Sequence, residues 1–435
     1  MRLGVSNQYF YYTRAGRQSF FLGFRMVFQE ELDEAAFREA ATEAALRFPE
    51  LTARTVISGG KLMAVREDAP PCFFPEDKGV VRVGSDETNG HLFCFRMGKK
   101  SVFMSFYHGM TDAYGALKFL RTLFLLYADR TGYQISESDR EALLTELKRE
   151  VVPSDADEFP SFDPYREYAD PEAVPEWRYD FPEAFGISSK LYDETNPTLH
   201  KYVVETSISA FIKKAKENGS SVVPFLVDTM SGAICRYGNK GELPVVTMVP
   251  ADLRPLFSSG TLANFSDAMF FPWFTSNLDK PVEVRCRDLK DYLVKQRTVK
   301  NFQAMMASKC KEIASYEEQH MLEKLTHPEP ESKKQTAPPV RRITYALSYP
   351  GKMDLGYGLD GMLEDFFLDT SVNVFSAIVQ TYGDRMRALI IQRSDDPTFP
   401  EWLKKGFEDA GLSAGLSDLG VMEPDVVDLS ALKTI

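Results

Sequence analysis

Between residues 151 and 200 stand Pro153, Pro160, Pro164, Pro171, Pro175, Pro182 and Pro197, with acidic residues among them. Each proline removes a backbone donor and fixes φ, so a stretch this rich in proline disfavours both helix and central strand. It reads as a long irregular connector that divides the chain in two. Length argues the same way: single cores stop growing near ~250–300 residues, and this chain has 435. We place a first domain over residues 1–180 and a second over 181–435.

Each half mixes strands and helices. Residues 20–28 are an aromatic-rich strand. A helix over 31–48 follows, with Phe37, Ala40, Ala41, Ala44, Ala45 and Phe48 at 3–4 spacing on one face and Asp33 near its start. Residues 92–97 and 101–107 form a hairpin across Gly98-Lys99-Lys100. Helices over 111–129 and 139–150 complete the first half. The second opens with a strand at 200–205, then helices over 207–218 and 222–237 and a valine-rich strand at 243–249. Residues 282–307 are mostly helical, and 327–339 form a polar loop. A strand at 343–349, a hairpin of 372–382 with 385–393, and a last helix over 399–409 follow. The fold class is α/β with mixed α+β sheets, in two comparable domains.

Net charge is −12. An acidic surface repels phosphate backbones, which argues against a nucleic-acid partner. The five cysteines are scattered without a CxxC spacing, as expected of buried thiols in a reducing compartment. The N-terminus lacks a signal-peptide-like apolar stretch. No apolar run approaches the ~18 residues that span a membrane. The expectation is a cytoplasmic protein with no metal site, since no HExxH or Walker A pattern occurs.

Five histidines limit the base chemistry. His91, His200, His320 and His327 have no partner pattern around them and read as structural. His108 is delivered by an apolar strand and followed at once by a helix, in Ser105-Phe106-Tyr107-His108-Gly109-Met110-Thr111-Asp112-Ala113-Tyr114-Gly115. A strand end before a helix projects side chains into a cleft, and imidazole accepts a proton near neutral pH. Asp112 lies four residues on, where it fixes the loop or the imidazole tautomer. From spacing alone, a capped turn in which His108 merely hydrogen-bonds backbone stays open beside the catalytic reading. Gly411-Leu412-Ser413-Ala414-Gly415 is a formal GxSxG, but a helix precedes it, so it reads as a turn rather than a nucleophile elbow. Gly356-Tyr357-Gly358-Leu359-Asp360-Gly361 is a formal GxGxxG interrupted from its strand by Pro350 and Gly351, which argues against a dinucleotide site.

The segment around His108 resembles the HHxxxDG motif of chloramphenicol acetyltransferase, BAHD acyltransferases, polyketide-associated acyltransferases, alcohol acetyltransferases and nonribosomal peptide condensation domains. His108 matches the second histidine and Asp112 the aspartate. Tyr107 stands in place of the first histidine and Ala113 in place of the glycine, with Gly115 as a source of flexibility two residues later. Other blocks fall in family order: Leu32 to Phe37 with Arg47-Phe48-Pro49-Glu50-Leu51, Val249 to Arg254 with Thr261-Leu262-Ala263-Asn264-Phe265, and Ser348-Tyr349-Pro350-Gly351. Asp354-Leu355-Gly356-Tyr357-Gly358 partly matches the structural DFGWG motif.

The resemblance implies two chloramphenicol-acetyltransferase-like domains with an active-site tunnel between them. It implies a CoA-dependent O- or N-acyltransferase in which His108 is the general base. Acyl-CoA is then a co-substrate rather than a bound cofactor, and the acceptor a small alcohol or amine. Asp112 is expected to turn away from His108 and pair with Arg254, holding the loop. Asn264, Ser266, Gly109 and Tyr107 are candidate oxyanion or substrate contacts. Two alternatives stand beside this: a condensation-type domain fed by an acyl carrier protein, and a degenerate member that binds a ligand or partner.

Overall fold

A computed structural model describes residues 1–14, 20–147, 149–153, 163–177, 183–187, 198–326, 342–371 and 375–435. The polar loop expected at 327–339 lies outside these residues, as do 372–374 of the expected second hairpin.

The first half runs α1 (Val5–Arg14), β1 (Phe21–Phe28), α2 (Glu34–Arg47), the single turn α3 (Pro49–Thr52), the hairpin β2 (Arg54–Ser58) and β3 (Lys61–Val65), β4 (Phe73–Pro75), β5 (Arg82–Val83), the hairpin β6 (Phe93–Met97) and β7 (Ser101–Tyr107), α4 (Ala113–Thr131) and α5 (Glu137–Leu147). In the described parts of the connector the regular element is one short helix, α6 (Pro164–Tyr168). The second half runs β8 (Leu199–Ser207), α7 (Ile208–Glu217), α8 (Val222–Ala233), β9 (Val245–Asp252), α9 (Arg254–Phe257), β10 (Ser266–Trp273), α10 (Val282–Gln296), α11 (Val299–Glu318), α12 (Met321–Thr326), β11 (Tyr345–Lys352), β12 (Leu363–Ser371), β13 (Ser376–Tyr382), β14 (Arg385–Gln392), α13 (Thr398–Asp409), β15 (Gly415–Met422) and β16 (Val426–Val427).

Local chemistry accounts for many of these boundaries. Asp33 caps α2 by accepting from the Ala36 N–H, and the predicted face of Phe37, Ala40, Ala41, Ala44 and Ala45 is buried. Asp112 caps α4, and Gly132 ends it at φ +70°. The region expected to be mostly helical over 282–307 holds α10 and the start of α11, separated where Thr298 caps the second.

Two sheets carry the architecture. One has the order β12-β1-β7-β6-β4, the other β10-β9-β11-β13-β14-β8-β15. In the second, β11 runs parallel to both β9 and β13, and the other pairs are antiparallel. The halves are not closed units, because β12 comes from the second half yet pairs with β1 from Phe21↔Ser371 onward. Its outward backbone is clamped across the gap between sheets: Gln380 accepts from the Leu368 N–H at 2.6 Å and donates to the Leu368 carbonyl at 2.8 Å. Asp369 of β12 pairs with Lys201 of β8, and both are buried. Asp425, next to β16, accepts from Arg96, Ser105 and the Val81 N–H inside the first half. Among the described residues no helix is long and apolar enough to cross a membrane.

Candidate active site

β7 is buried along almost its whole length and pairs with β1 on one side and β6 on the other. His108 follows directly, and its N–H donates to the Phe20 carbonyl at 2.8 Å, extending the ladder by one residue. The imidazole is half-buried, and the Phe10 ring of α1 lies over it at 5.0 Å between centroids.

The ring's tautomer follows from its partner. Nδ1 lies 3.0 Å from the Thr111 carbonyl oxygen. A carbonyl can only accept, and the Asn264 Nδ2 that also approaches Nδ1 stands farther off at 3.4 Å, so the proton is assigned to Nδ1. Nε2 then carries the lone pair, and no hydrogen bond from a described residue reaches it. Burial is the largest influence on this group and pushes its pKa below the usual histidine value. The Thr111 carbonyl and the nearby Asp112 charge oppose the shift without reversing it. The imidazole is therefore neutral at pH 7, with a free base nitrogen.

Asp112 faces away from the imidazole. Its Oδ1 accepts from the Gly115 N–H at 3.2 Å and from Arg254 Nη2 at 3.0 Å, while Oδ2 accepts from the Phe265 N–H at 3.1 Å. The ion pair is nearly dry, with Arg254 5% and Asp112 12% exposed at the side chain. Arg254 also donates to Asp252 and to the Thr261 and Ala263 carbonyls. Thr111 Oγ1 reaches the Leu262 carbonyl at 2.5 Å. The His108 loop is thus bound to residues 252–265 of the second half, which bridge β9 to β10.

The four candidate contacts separate. Tyr107 is wholly buried, with its ring against Phe10, Tyr11 and Phe21. Asn264 is 2% exposed, and its amide donates to the His108 carbonyl at 3.1 Å. The same amide nitrogen lies 3.4 Å from His108 Nδ1, so Asn264 packs against both the loop backbone and the ring. Ser266 donates to Asn264 Oδ1 at 3.0 Å and so orients that amide. Gly109 has an N–H that no described residue accepts.

Gly115 differs from expectation in its reason. It sits inside α4 without a left-handed φ, so it supplies space, not flexibility. A Cβ there would lie 2.4 Å from the Leu262 carbonyl oxygen and 2.2 Å from Thr111 Oγ1. Thr111 and Phe10 were missed by sequence reasoning. Thr111 lies inside the motif segment but acts through its carbonyl, which any residue has. Phe10 belongs to α1, which the hydropathy pattern did not mark.

The other motifs resolve into structure. Asp360 accepts from the N–H groups of Leu355 and Gly356, filling the turn where a phosphate would have to sit. Ser413 lies between α13 and β15 and its carbonyl accepts from Thr206, an order opposite to that of a nucleophile elbow. The ring nitrogens of His91 lie 2.8 Å from the Thr52 and Ala69 carbonyls, His200 pairs with Asp418, and His320 is exposed. His327 lies outside the described residues.

No protein-family model matches the chain, and no curated protein does. Solved structures do. Polyketide synthase associated protein 5 from Mycobacterium tuberculosis aligns at 12% identity and TM-score 0.58, over 93% of this chain and 96% of that one. F. sporotrichioides TRI101, complexed with coenzyme A and T-2, aligns at 12% identity and TM-score 0.57, over 96% of this chain and 99% of that one. The epimerization domain from the third module of tyrocidine synthetase B aligns at 10% identity and TM-score 0.58, over 94% of this chain and 96% of that one. At such identities the likeness is one of fold.

Proposed function

This chain has the fold of the chloramphenicol-acetyltransferase-like acyltransferases, and we propose that it transfers an acyl group from acyl-CoA to the hydroxyl or amine of a small acceptor, with His108 as general base. The observation that carries the reading is the Nδ1–H bond to the Thr111 carbonyl, which leaves Nε2 unprotonated on a histidine that burial keeps neutral. Nε2 takes the acceptor's proton as oxygen or nitrogen attacks the thioester carbonyl. The same proton then passes to the departing thiolate. Base catalysis of this kind contributes roughly 10²–10⁴-fold. The tetrahedral oxyanion needs a donor, and the Gly109 N–H is our choice. Asp112 and Arg254 act on the loop, not on the substrate. A TRI101 structure of the same fold holds coenzyme A, which supports CoA as the donor.

The test is free-thiol release from acetyl-, butyryl- and longer acyl-CoAs with a panel of alcohols and amines. We expect release that depends on the acceptor and falls ~10²–10⁴-fold in His108→Ala. Release unchanged in that variant overturns His108 as the base. Transfer only from a phosphopantetheine-loaded carrier protein moves the reading to a condensation-type domain.

A further inference from the structure

Phe10 stands against the groups that the proposed reaction uses, although it lies far from them in sequence. Its ring lies over the His108 imidazole, with 5.0 Å between centroids and a tilt of 52°. At that separation two rings touch and no water fits between them. Phe10 also backs Gly109, since a Cβ on that glycine would lie 3.0 Å from the Phe10 Cβ. One side chain thus adjoins both the base and the residue whose N–H is our choice of oxyanion donor. The Nδ1 edge of the imidazole is closed separately, by the Thr111 carbonyl at 3.0 Å and the Asn264 amide at 3.4 Å. Asp112, the charged group that acts on the imidazole, is turned to Arg254.

The ring is held in place. Tyr9, Phe20 and Tyr107 meet it edge to face at 6.2, 6.1 and 6.4 Å. The start of α1 is tied down, because the Val5 N–H donates to Asp163 Oδ2 at 3.0 Å and Arg2 pairs with Glu317 of α11. The Lys309 ammonium of α11 stands 5.4 Å from the Tyr9 centroid and pairs with Asp267 of β10 at 3.0 Å. These contacts fix α1 against α11 and β10, and so fix Phe10 on His108. Phe10 is nonetheless only half-buried, whereas the next residue, Tyr11, is 1% exposed. A ring that served the core alone would be covered as Tyr11 is. Phe10 sits at the edge of the core, where the half-buried imidazole also lies.

We infer that Phe10 is a positioning residue that keeps water off His108, so that the acyl group passes to the acceptor and is not hydrolysed. The inference rests on the acyl-transfer reading. With the ring removed, a water takes the acceptor's place. Its oxygen bonds to the thioester carbonyl carbon and one of its protons goes to His108 Nε2. The C–S bond then breaks and that proton passes to the thiolate, leaving a carboxylic acid and a free thiol. Exclusion of water from a closed site suppresses this side reaction.

The experiment shrinks the cover in steps, with Phe10→Leu, Phe10→Val and Phe10→Ala, so that the milder variants carry the test if the last does not fold. Free acid and acylated acceptor are measured from one acyl-CoA at saturating acceptor. We expect the ratio of acid to acylated product to rise in that order, at least ~10-fold in Phe10→Ala. Loosened packing alone lowers both products together, so a ratio equal to wild type in every folded variant overturns the inference. A second readout needs no turnover. The His108 resonance is assigned in the spectrum of ¹³C-histidine-labelled protein by its absence from His108→Ala, and is then titrated. In the wild type it should titrate below ~6.5, and in the variants progressively higher as water reaches the ring. A His108 titration that does not move overturns the inference as well. No product from any donor, beside a titration that moves along the series, removes the acyl-transfer reading and keeps Phe10 as the shield of the imidazole.

Discussion

Replacing Asp112 by alanine removes three hydrogen-bonded contacts in one step. The α4 cap on the Gly115 N–H is lost, at about 0.5–2 kcal/mol. The Phe265 N–H and the Arg254 guanidinium lose their carboxylate. Breaking a buried pair costs roughly 3–5 kcal/mol when the remaining charge is stranded. Arg254 keeps Asp252 and the Thr261 and Ala263 carbonyls, so the charge is not fully stranded, and the total is about 3 kcal/mol. For cooperative units of 150–250 residues, each kcal/mol moves Tm by about 2–4 °C, so Asp112→Ala should melt about 6–12 °C lower. Asp112→Asn keeps a capping oxygen and should lose less. In a double-mutant cycle, Asp112→Ala with Arg254→Met should be more stable than the sum of the single changes, because no buried charge is left. Thermal unfolding followed by circular dichroism, with acyl transfer measured on the same samples, decides it. Activity lost at an unchanged Tm, or strict additivity in the cycle, refutes the argument that this pair fastens the loop.

Gly115→Ala places a Cβ against the Leu262 carbonyl, so the urea midpoint should fall by the equivalent of about 1–3 kcal/mol; an unchanged midpoint refutes the space argument. Because the His108 pKa is lowered in the folded state, the free base persists below ~6.5. kcat/KM should then hold from pH 8 down through 6.5 and decline only below it, and an inflection above 7 overturns the assignment. By linkage, the stability that follows from a neutral His108 is present above ~6.5 and lost as pH falls beneath it, because the unfolded chain then binds the extra proton. Asp425→Ala leaves Arg96, which is 9% exposed at the side chain, without a carboxylate partner and with the Lys78 and Gly79 carbonyls as its remaining acceptors. It should cost about 3 kcal/mol and open the C-terminal segment to limited proteolysis, while resistance equal to wild type contradicts that role.

Local pattern determined much of this protein. The periodicity of α2, the Asp33 cap, the β6–β7 hairpin and the start of α4 are short-range facts, and each lies within about three residues of where hydropathy and capping place it. His108 stood out because strand, loop and helix are consecutive there, while its role as base was suggested only by the family resemblance. Arg254 was legible only through the family resemblance, since 142 residues separate it from Asp112. Other features carried no local signal. β12 holds Asp365, Asp369, Thr370 and Ser371, a composition that argues against a buried strand. It is one because Arg387, Lys201 and the Phe21 carbonyl meet Asp365, Asp369 and Thr370 from distant segments. Gly115 needs no special φ, so its necessity arises only when Leu262 packs against it. Tyr107 stands at the place of a site residue, yet packing turns it into the core. The imidazole's tautomer depends on one backbone carbonyl. Sequence specified which side chains were present and where many of the strands and helices begin. Tertiary contact decided which polar groups are satisfied, and therefore which atoms remain free for chemistry.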